Sequence, residues 1–287
     1  MLNIDSKTRL IGLLGHPLTH SYSPLLQNAA FTQLNLNTLY IPIEVTEQNL
    51  GDVIRGMVKM NFDGFNVTIP HKINILNYLD AVDEPAAAIG AVNCVTIKEG
   101  CLKGYNTDGS GFLRSFEQGT GETVQGKNIL LLGSGGAARA IAMTLALRGA
   151  QRINIFNRTV EKAEALAREI NSKIKSGAST AVEERALQDV LADTDSIINT
   201  TSVGMYPQVE ETPLDKSLLR PELIVCDIVY NPEKTRLLRD AEEIGCRTLP
   251  GLPMLIYQGA ESFSLWTGLE APVETMFSAL KNKSAGM

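Results

Sequence analysis

Residues 127–158, KNILLLGSGGAARAIAMTLALRGAQRINIFNR, predict a strand, a glycine turn, a helix and a second strand in succession. Asn128 to Leu132 is an apolar run of strand length, and Gly133, Gly135 and Ala138 fit the spacing G-x-G-x-x-G/A that opens a helix. Gly133 lets the chain turn sharply off the strand, and Gly135 lets the backbone approach a pyrophosphate. Ala138 lets the helix pack closely on the strand. The N–H groups at the start of a helix over Ala137 to Arg148 face such an anion. The unit predicted is one that holds a dinucleotide.

The second strand, Arg152 to Phe156, ends at Asn157, about 20 residues past the glycine turn. An NAD site places Asp or Glu there to accept hydrogen bonds from the ribose 2′-hydroxyl. This chain has Asn157, Arg158 and Thr159, with Lys162 three residues on. A carboxylate repels a 2′-phosphate, whereas this basic and hydroxylic cluster attracts one, so the cofactor expected is NADP.

The 287 residues, 44% hydrophobic and 20% charged, are ordinary for a globular protein and long enough for two domains. The net charge of −6 and the lack of any lysine or arginine run argue against nucleic acid as a partner. No apolar stretch approaches the ~20 residues of a membrane span, so a cytoplasmic protein is expected. Cys94, Cys101, Cys226 and Cys246 are scattered without zinc spacing and read as reduced thiols. With His16, His20 and His71 as the histidines, no metal site is predicted.

Upstream, strands are expected over Arg9 to Gly15, Leu39 to Val45 and Gly64 to Ile69, with helices to about Gln33 and over Gln48 to Met60. This alternation predicts a separate α/β lobe. Ser23 reads as the N-cap of the first helix, with Pro24 at its first position. Ser21 and Ser23 either only cap that helix or, with its positive end, bind a small carboxylate. Lys72 follows the third strand at its carboxyl end, where open α/β sheets bind ligands, although most lysines are simply solvated. Ala91 to Ile97 and Cys101 to Tyr105 predict a hairpin, and Asp108 in the next turn reads as the N-cap of a helix over Ser110 to Glu117.

The glycine- and threonine-rich span Gly119 to Gly126 looks like an interdomain linker. Beyond Asn157, helices are expected over Val160 to Ile170, Glu183 to Leu191 and Lys234 to Ile244, and strands over Ser196 to Asn199 and Leu223 to Val229. A loop at Thr200 to Met205 can face a cofactor. A last apolar helix, Met254 to Trp266, is expected to pack Leu255, Phe263 and Trp266 between the lobes. On it Gln258 is either surface or, in a cleft, in need of a hydrogen-bond partner.

In order along the chain, HSYSP, NVTIPHK, GAVNC, GYNTDG, GSGGAARA, NRT, NTTSVGM, DIVYNP and GLPMLIYQGA closely resemble the shikimate dehydrogenase family. The resemblance implies an α/β fold with an N-terminal substrate lobe, a Rossmann NADP lobe and C-terminal helices returning to the first lobe. The expected division is 1–109 for substrate, 110–252 for NADP, and 253–287 packing back on the first part. It also implies reversible, NADPH-dependent reduction of 3-dehydroshikimate to shikimate, on the route to chorismate and aromatic amino acids, in a cleft between the lobes. A homodimer is compatible with it.

Carried over by motif, the catalytic pair falls on Lys72 and Asp108. Both also touch substrate, together with Ser21, Ser23, Thr68, Asn93, Tyr230 and Gln258. The cofactor positions fall on Gly133, Ser134, Gly135, Gly136 and Ala137, on Asn157, Arg158, Thr159 and Lys162, and on Thr201, Ile228, Gly251 and Met254. Glu84 matches a further cofactor position in some members. The chain departs from the family at Gln27-Asn28, where His-Asn is usual, and at Asn93-Cys94, where Asn-Thr is usual. Gln27 also occurs in quinate/shikimate dehydrogenases that use either acid and either cofactor, which makes that paralogue the alternative. A non-catalytic NADP-binding sensor on the same fold is the alternative from another class.

Overall fold

The computed structural model describes residues 4–19, 21–174 and 177–284. The chain divides into two compact units, one of residues 1–107 with 256–287 and one of 108–255. The Gly119 to Gly126 stretch therefore lies wholly inside the second unit and is not the link between the two.

The first unit opens with β1 (Arg9–Gly15), α1 (Ser23–Gln33), β2 (Thr38–Glu44), α2 (Leu50–Lys59) and β3 (Gly64–Val67). It continues through β4 (Ala81–Val82), α3 (Glu84–Ile89), β5 (Cys94–Lys98) and β6 (Cys101–Tyr105). Its six-stranded sheet has the order β2-β1-β3-β5-β6-β4. β1, β2 and β3 run parallel, as α-helical crossovers require, while β5 is antiparallel to both β3 and β6. The β5–β6 hairpin turns on Glu99 (φ 53°) and Gly100 (φ 79°), two left-handed residues that match the twist of the flanking strands. Its core gathers Leu14, Ile54, Met57, Phe65, Ile75 and Val95, all at most 3% exposed.

The second unit contains α4 (Asp108–Thr120), β7 (Asn128–Leu132), α5 (Gly136–Leu147), β8 (Arg152–Phe156), α6 (Val160–Lys173) and β9 (Ser179–Val182). After α7 (Leu187–Ala192) come β10 (Ser196–Asn199), β11 (Ile224–Asp227), α8 (Arg236–Ile244) and β12 (Arg247–Leu249). All six strands are parallel, in the order β9-β8-β7-β10-β11-β12. Counted from β7 as the first, this is the 3-2-1-4-5-6 order of a Rossmann sheet, with its reversal between β7 and β10. Strands covered on both faces must be apolar throughout, and Leu130, Leu131, Ile153, Ile155, Ile197 and Val225 are fully buried.

α9 (Leu252–Thr267) begins in the second unit and ends in the first, and α10 (Val273–Ser284) belongs to the first. Phe263, 0% exposed, stacks on Phe31 of α1 with ring centroids 5.2 Å apart. Trp266 lies 6.0 Å from Tyr40 and donates its indole N–H to the Val95 carbonyl at 3.0 Å. Both rings are thus core of the first unit rather than the interlobe packing expected of them. Among the described residues no helix is long and apolar enough to cross a membrane.

Candidate active site and nucleotide-binding edge

Because β7, β8, β10 and β11 are parallel, their carboxyl ends share one edge of the second sheet. That edge presents Gly133 after β7, Asn157 to Thr159 after β8, Thr200 and Thr201 after β10, and Ile228 after β11. Gly133 has φ 108°, and a Cβ there would meet the Thr200 hydroxyl at 2.7 Å, so glycine is required both by conformation and by space. Gly135 differs. Its backbone is extended at φ −77°, ψ −171°, and an added Cβ would meet no protein atom within 4 Å. Nothing among the described residues requires a glycine there, so the space over the Gly135 backbone is open to a ligand, and Ser134, Gly136 and Ala137 complete the turn. α5 starts one residue before the expected Ala137, at Gly136, and its third residue Ala138 is fully buried.

At the end of β8 the Asn157 amide donates to the Thr159 carbonyl at 2.8 Å. Thr159 caps α6 without a side-chain hydrogen bond, which leaves its hydroxyl outside the capping interaction. Arg158 and Lys162 are exposed, and neither joins an ion pair among the described residues. The nearby cations behave differently: Arg139 and Lys173 both pair with Glu169. Two uncommitted cations beside the N-terminus of α6 fit a 2′-phosphate, and they rule out the carboxylate an NAD site needs at this point.

The loops after β10 and β11 are shaped by a buried polar cluster that the sequence reading missed. Asn199 donates to Asp227 at 3.0 Å, and its own carbonyl oxygen accepts from the Thr201 amide at 3.0 Å and hydroxyl at 2.7 Å. Asp227 also accepts from the Val229 amide at 2.9 Å and the Thr235 hydroxyl at 2.8 Å. Thr235 in turn caps α8. Gly251 packs against this loop so closely that a Cβ would lie 2.4 Å from the Ile228 carbonyl oxygen. Met254, 7% exposed, follows one turn on. A polar residue ending an apolar strand, as in Ile-Ile-Asn199 and Val-Cys-Asp227, was the available signal.

Burial raises the Asp227 carboxyl from 3.8 to about 6, against its three hydrogen bonds, which lower it. The native state therefore holds this proton more firmly than the unfolded chain. The stability that goes with it is complete below the unfolded value and is lost as pH rises through about 6. Asp227→Asn carries no such titration. Urea melts of both proteins at pH 4 and pH 7 are expected to show the difference between them moving in favour of the variant by on the order of 2 kcal/mol at the higher pH. A pH-independent difference refutes the assignment.

In the first unit the expected N-cap shifts by one residue. Tyr22 occupies it with φ −90° and ψ −8°, so Ser23 is the first residue of α1 and Pro24 the second. The Ser21 hydroxyl accepts the Ser23 amide at 3.3 Å, which places both serines at the positive end of the helix. Thr68 and Lys72 flank a tight turn after β3 in which His71 donates its amide to the Thr68 carbonyl at 2.9 Å. The His71 ring is fully buried, with Nε2 2.7 Å from the Val45 carbonyl. That acceptor fixes the proton on Nε2, and Nδ1 has no partner among the described residues. The Lys72 carbonyl accepts from the Val92 amide at 2.8 Å, so the turn is anchored on both sides of a half-buried side chain.

Asn93, 2% exposed, donates to the Thr107 hydroxyl at 3.0 Å and to Gln258 at 3.3 Å, which brings two expected substrate contacts together. Gln258 is half-buried rather than surface. Gln27, 1% exposed, donates to the Gly259 carbonyl at 2.8 Å and so ties α1 to the turn of α9 beside Gln258. Asp108 and Tyr230 belong to the second unit. Asp108, 4% exposed, is the first residue of α4 rather than its cap, and Glu84 is an exposed first residue of α3. Cys94, Cys226 and Cys246 are buried and Cys101 exposed, all unpaired, and burial pushes the first three thiols up and makes them inert.

A parallel sheet in this strand order, a glycine turn at its reversal and a basic end to β8 define a dinucleotide-binding dehydrogenase architecture. Family models match as the shikimate dehydrogenase substrate-binding domain over residues 13–95, shikimate/quinate 5-dehydrogenase over 116–231, and the shikimate 5′-dehydrogenase C-terminal domain over 251–281. The NADP(+) shikimate dehydrogenase of Methanocaldococcus jannaschii is 47% identical over 98% of this chain and 99% of its own. A crystal structure of a shikimate dehydrogenase in complex with NADP+ superposes with a TM-score of 0.91 at 45% identity, covering 98% of this chain and 97% of its own. The shikimate 5-dehydrogenase of Listeria monocytogenes, solved with shikimate and NAD, gives 0.89 at 42% identity, over 96% and 98%. The chain belongs to the shikimate dehydrogenase family.

Proposed function

We propose that this protein catalyses the reversible, NADPH-dependent reduction of 3-dehydroshikimate to shikimate. The observation that carries the cofactor half is the end of β8, where Arg158 and Lys162 stand in place of a carboxylate, outside any ion pair among the described residues. Bound NADPH supplies the hydride to the ketone carbon. The negative charge that develops on the ketone oxygen needs a proton, and the Lys72 ammonium donates it; in the oxidative direction the amine takes it back. Asp108 accepts a hydrogen bond from the reacting hydroxyl and keeps it aligned, an orienting role at the positive end of α4.

Ser21 and Ser23 hold the substrate carboxylate at the start of α1, Thr68, Asn93 and Gln258 meet the ring hydroxyls, and Tyr230 is a further substrate contact. Donors matched to hydroxyls discriminate strongly, because an analogue lacking one leaves a buried partner unpaired. The pyrophosphate rests on Gly133 to Ala137, the 2′-phosphate on Asn157, Arg158, Thr159 and Lys162, and the remaining cofactor on Thr201, Ile228, Gly251 and Met254. Unpaired cysteines support a reducing, cytoplasmic setting.

Initial rates with shikimate and quinate, each with NADP+ and NAD+, test the reading. The expected result is the highest kcat/KM for shikimate with NADP+. A higher value for quinate with NAD+ sinks it in favour of the quinate/shikimate enzyme, and no oxidation in any combination sinks it in favour of a sensor.

A further inference from the structure

Under the proposed substrate contacts of the first unit lies one side chain that reaches all the elements carrying them. Asn66, 6% exposed, sits on β3 two residues before Thr68. Its carbonyl oxygen accepts the Tyr40 hydroxyl at 2.8 Å, and Tyr40, 1% exposed, is clasped along its main chain by Asn28 of α1, whose side chain accepts the Tyr40 amide and donates to the Tyr40 carbonyl, each at 2.9 Å. The Asn66 amide donates to the Asn93 carbonyl at 2.9 Å and to the Ser262 hydroxyl at 3.0 Å. Ser262, 0% exposed, donates back to the Gln258 carbonyl at 3.0 Å, one turn earlier on α9. Branches therefore run from Asn66 to α1, to the segment before β5, and to α9.

A core needs none of this for packing, since apolar groups of the same shape fill space without the cost of desolvating amides and hydroxyls. A fully satisfied buried network instead fixes one arrangement of the groups it joins. We infer that Tyr40, Asn66 and Ser262 are positioning residues for the substrate, setting the separation of Ser23, Asn93 and Gln258 to match the carboxylate and hydroxyls of one ring. The inference rests on the functional reading above. The bonds of this network end on groups proposed to bind substrate, so its loss acts on substrate binding rather than on the chemical step.

Tyr40→Phe and Ser262→Ala each remove one branch and keep the surrounding bulk. Steady-state kinetics are expected to show KM for shikimate rising about three- to tenfold in each, the worth of one hydrogen bond, with kcat and KM for NADP+ within about twofold. Calorimetric titration of shikimate alone is expected to show the same loss. Ile11→Val, in the core of the same sheet, is the control: it lowers the melting temperature and leaves KM for shikimate unchanged. If the two network variants melt earlier while KM for shikimate stays within twofold, the network is scaffolding and the inference is overturned while the functional reading stands. A wild type that turns over no shikimate overturns both.

Discussion

Lys72→Ala is expected to lower kcat by about 10² to 10⁴ while KM for shikimate and for NADP+ stays within a few-fold. The size follows from the role: without the ammonium, the oxyanion left by hydride arrival must take its proton from water, and it loses a positive charge at the atom where charge develops. The turn that carries Lys72 has anchors apart from its side chain. It is held by the Thr68 and Lys72 carbonyls and by the His71 ring on the Val45 carbonyl. Melting curves of the variant and the wild type separate a loss of chemistry from a loss of fold. Lys72→Arg should not restore activity, because a guanidinium gives up its proton poorly and is planar where the ammonium is compact. Near-normal turnover of the alanine variant in single-turnover and steady-state assays refutes the assignment.

Where local pattern and tertiary structure agree, the chain was legible. β7 and β8 fall within the expected bounds because Ile129 to Leu132 is an apolar run closed by Gly133 and because Ile153, Ile155 and Phe156 are β-formers closed by Asn157, and the β5–β6 hairpin is marked by Glu99-Gly100. The edge strands β9 and β12 and the two-residue β4 were missed. Their partners, β8, β11 and β6, supply the hydrogen bonds, so composition in Ser-Thr-Ala-Val or Arg-Thr-Leu carries little signal. The linker reading failed at Gly119 and Thr120 because α4 runs to Thr120 before glycine turns take over at Gly121, with φ 71°.

The same division holds for the site. The glycine turn and the basic cluster are contiguous, so they could be read directly. Asp227 meets Asn199, 28 residues earlier, only because β10 and β11 pair side by side. Asn66 meets Ser262 across 196 residues because α9 returns to the first sheet. Single polar residues in such networks look like any other until strand order is known, which is why motif resemblance pointed to the groups expected to touch ligand and passed over those beneath them.

The double variant Arg158→Ala/Lys162→Ala is expected to lower kcat/KM for NADPH by about 10² to 10³ and to leave that for NADH within about threefold. Each cation contributes a charge-assisted bond to phosphate worth about 1.5–3 kcal/mol, reduced at an exposed site by solvent, so two together account for a loss of this size. Both lie at the start of α6, whose positive end adds to the attraction, and among the described residues neither is in an ion pair whose release would offset the loss. NADH lacks the 2′-phosphate and should not register their removal. Adding Asn157→Asp places a carboxylate where the ribose 2′-hydroxyl of NAD donates, and it should move the preference further toward NADH. Rates across a range of ionic strength give a second check, since the wild-type advantage for NADPH should shrink as salt screens the two exposed cations. Equal losses for both cofactors in the double variant would place recognition of the phosphate elsewhere on the chain and remove the support that the end of β8 gives to NADP.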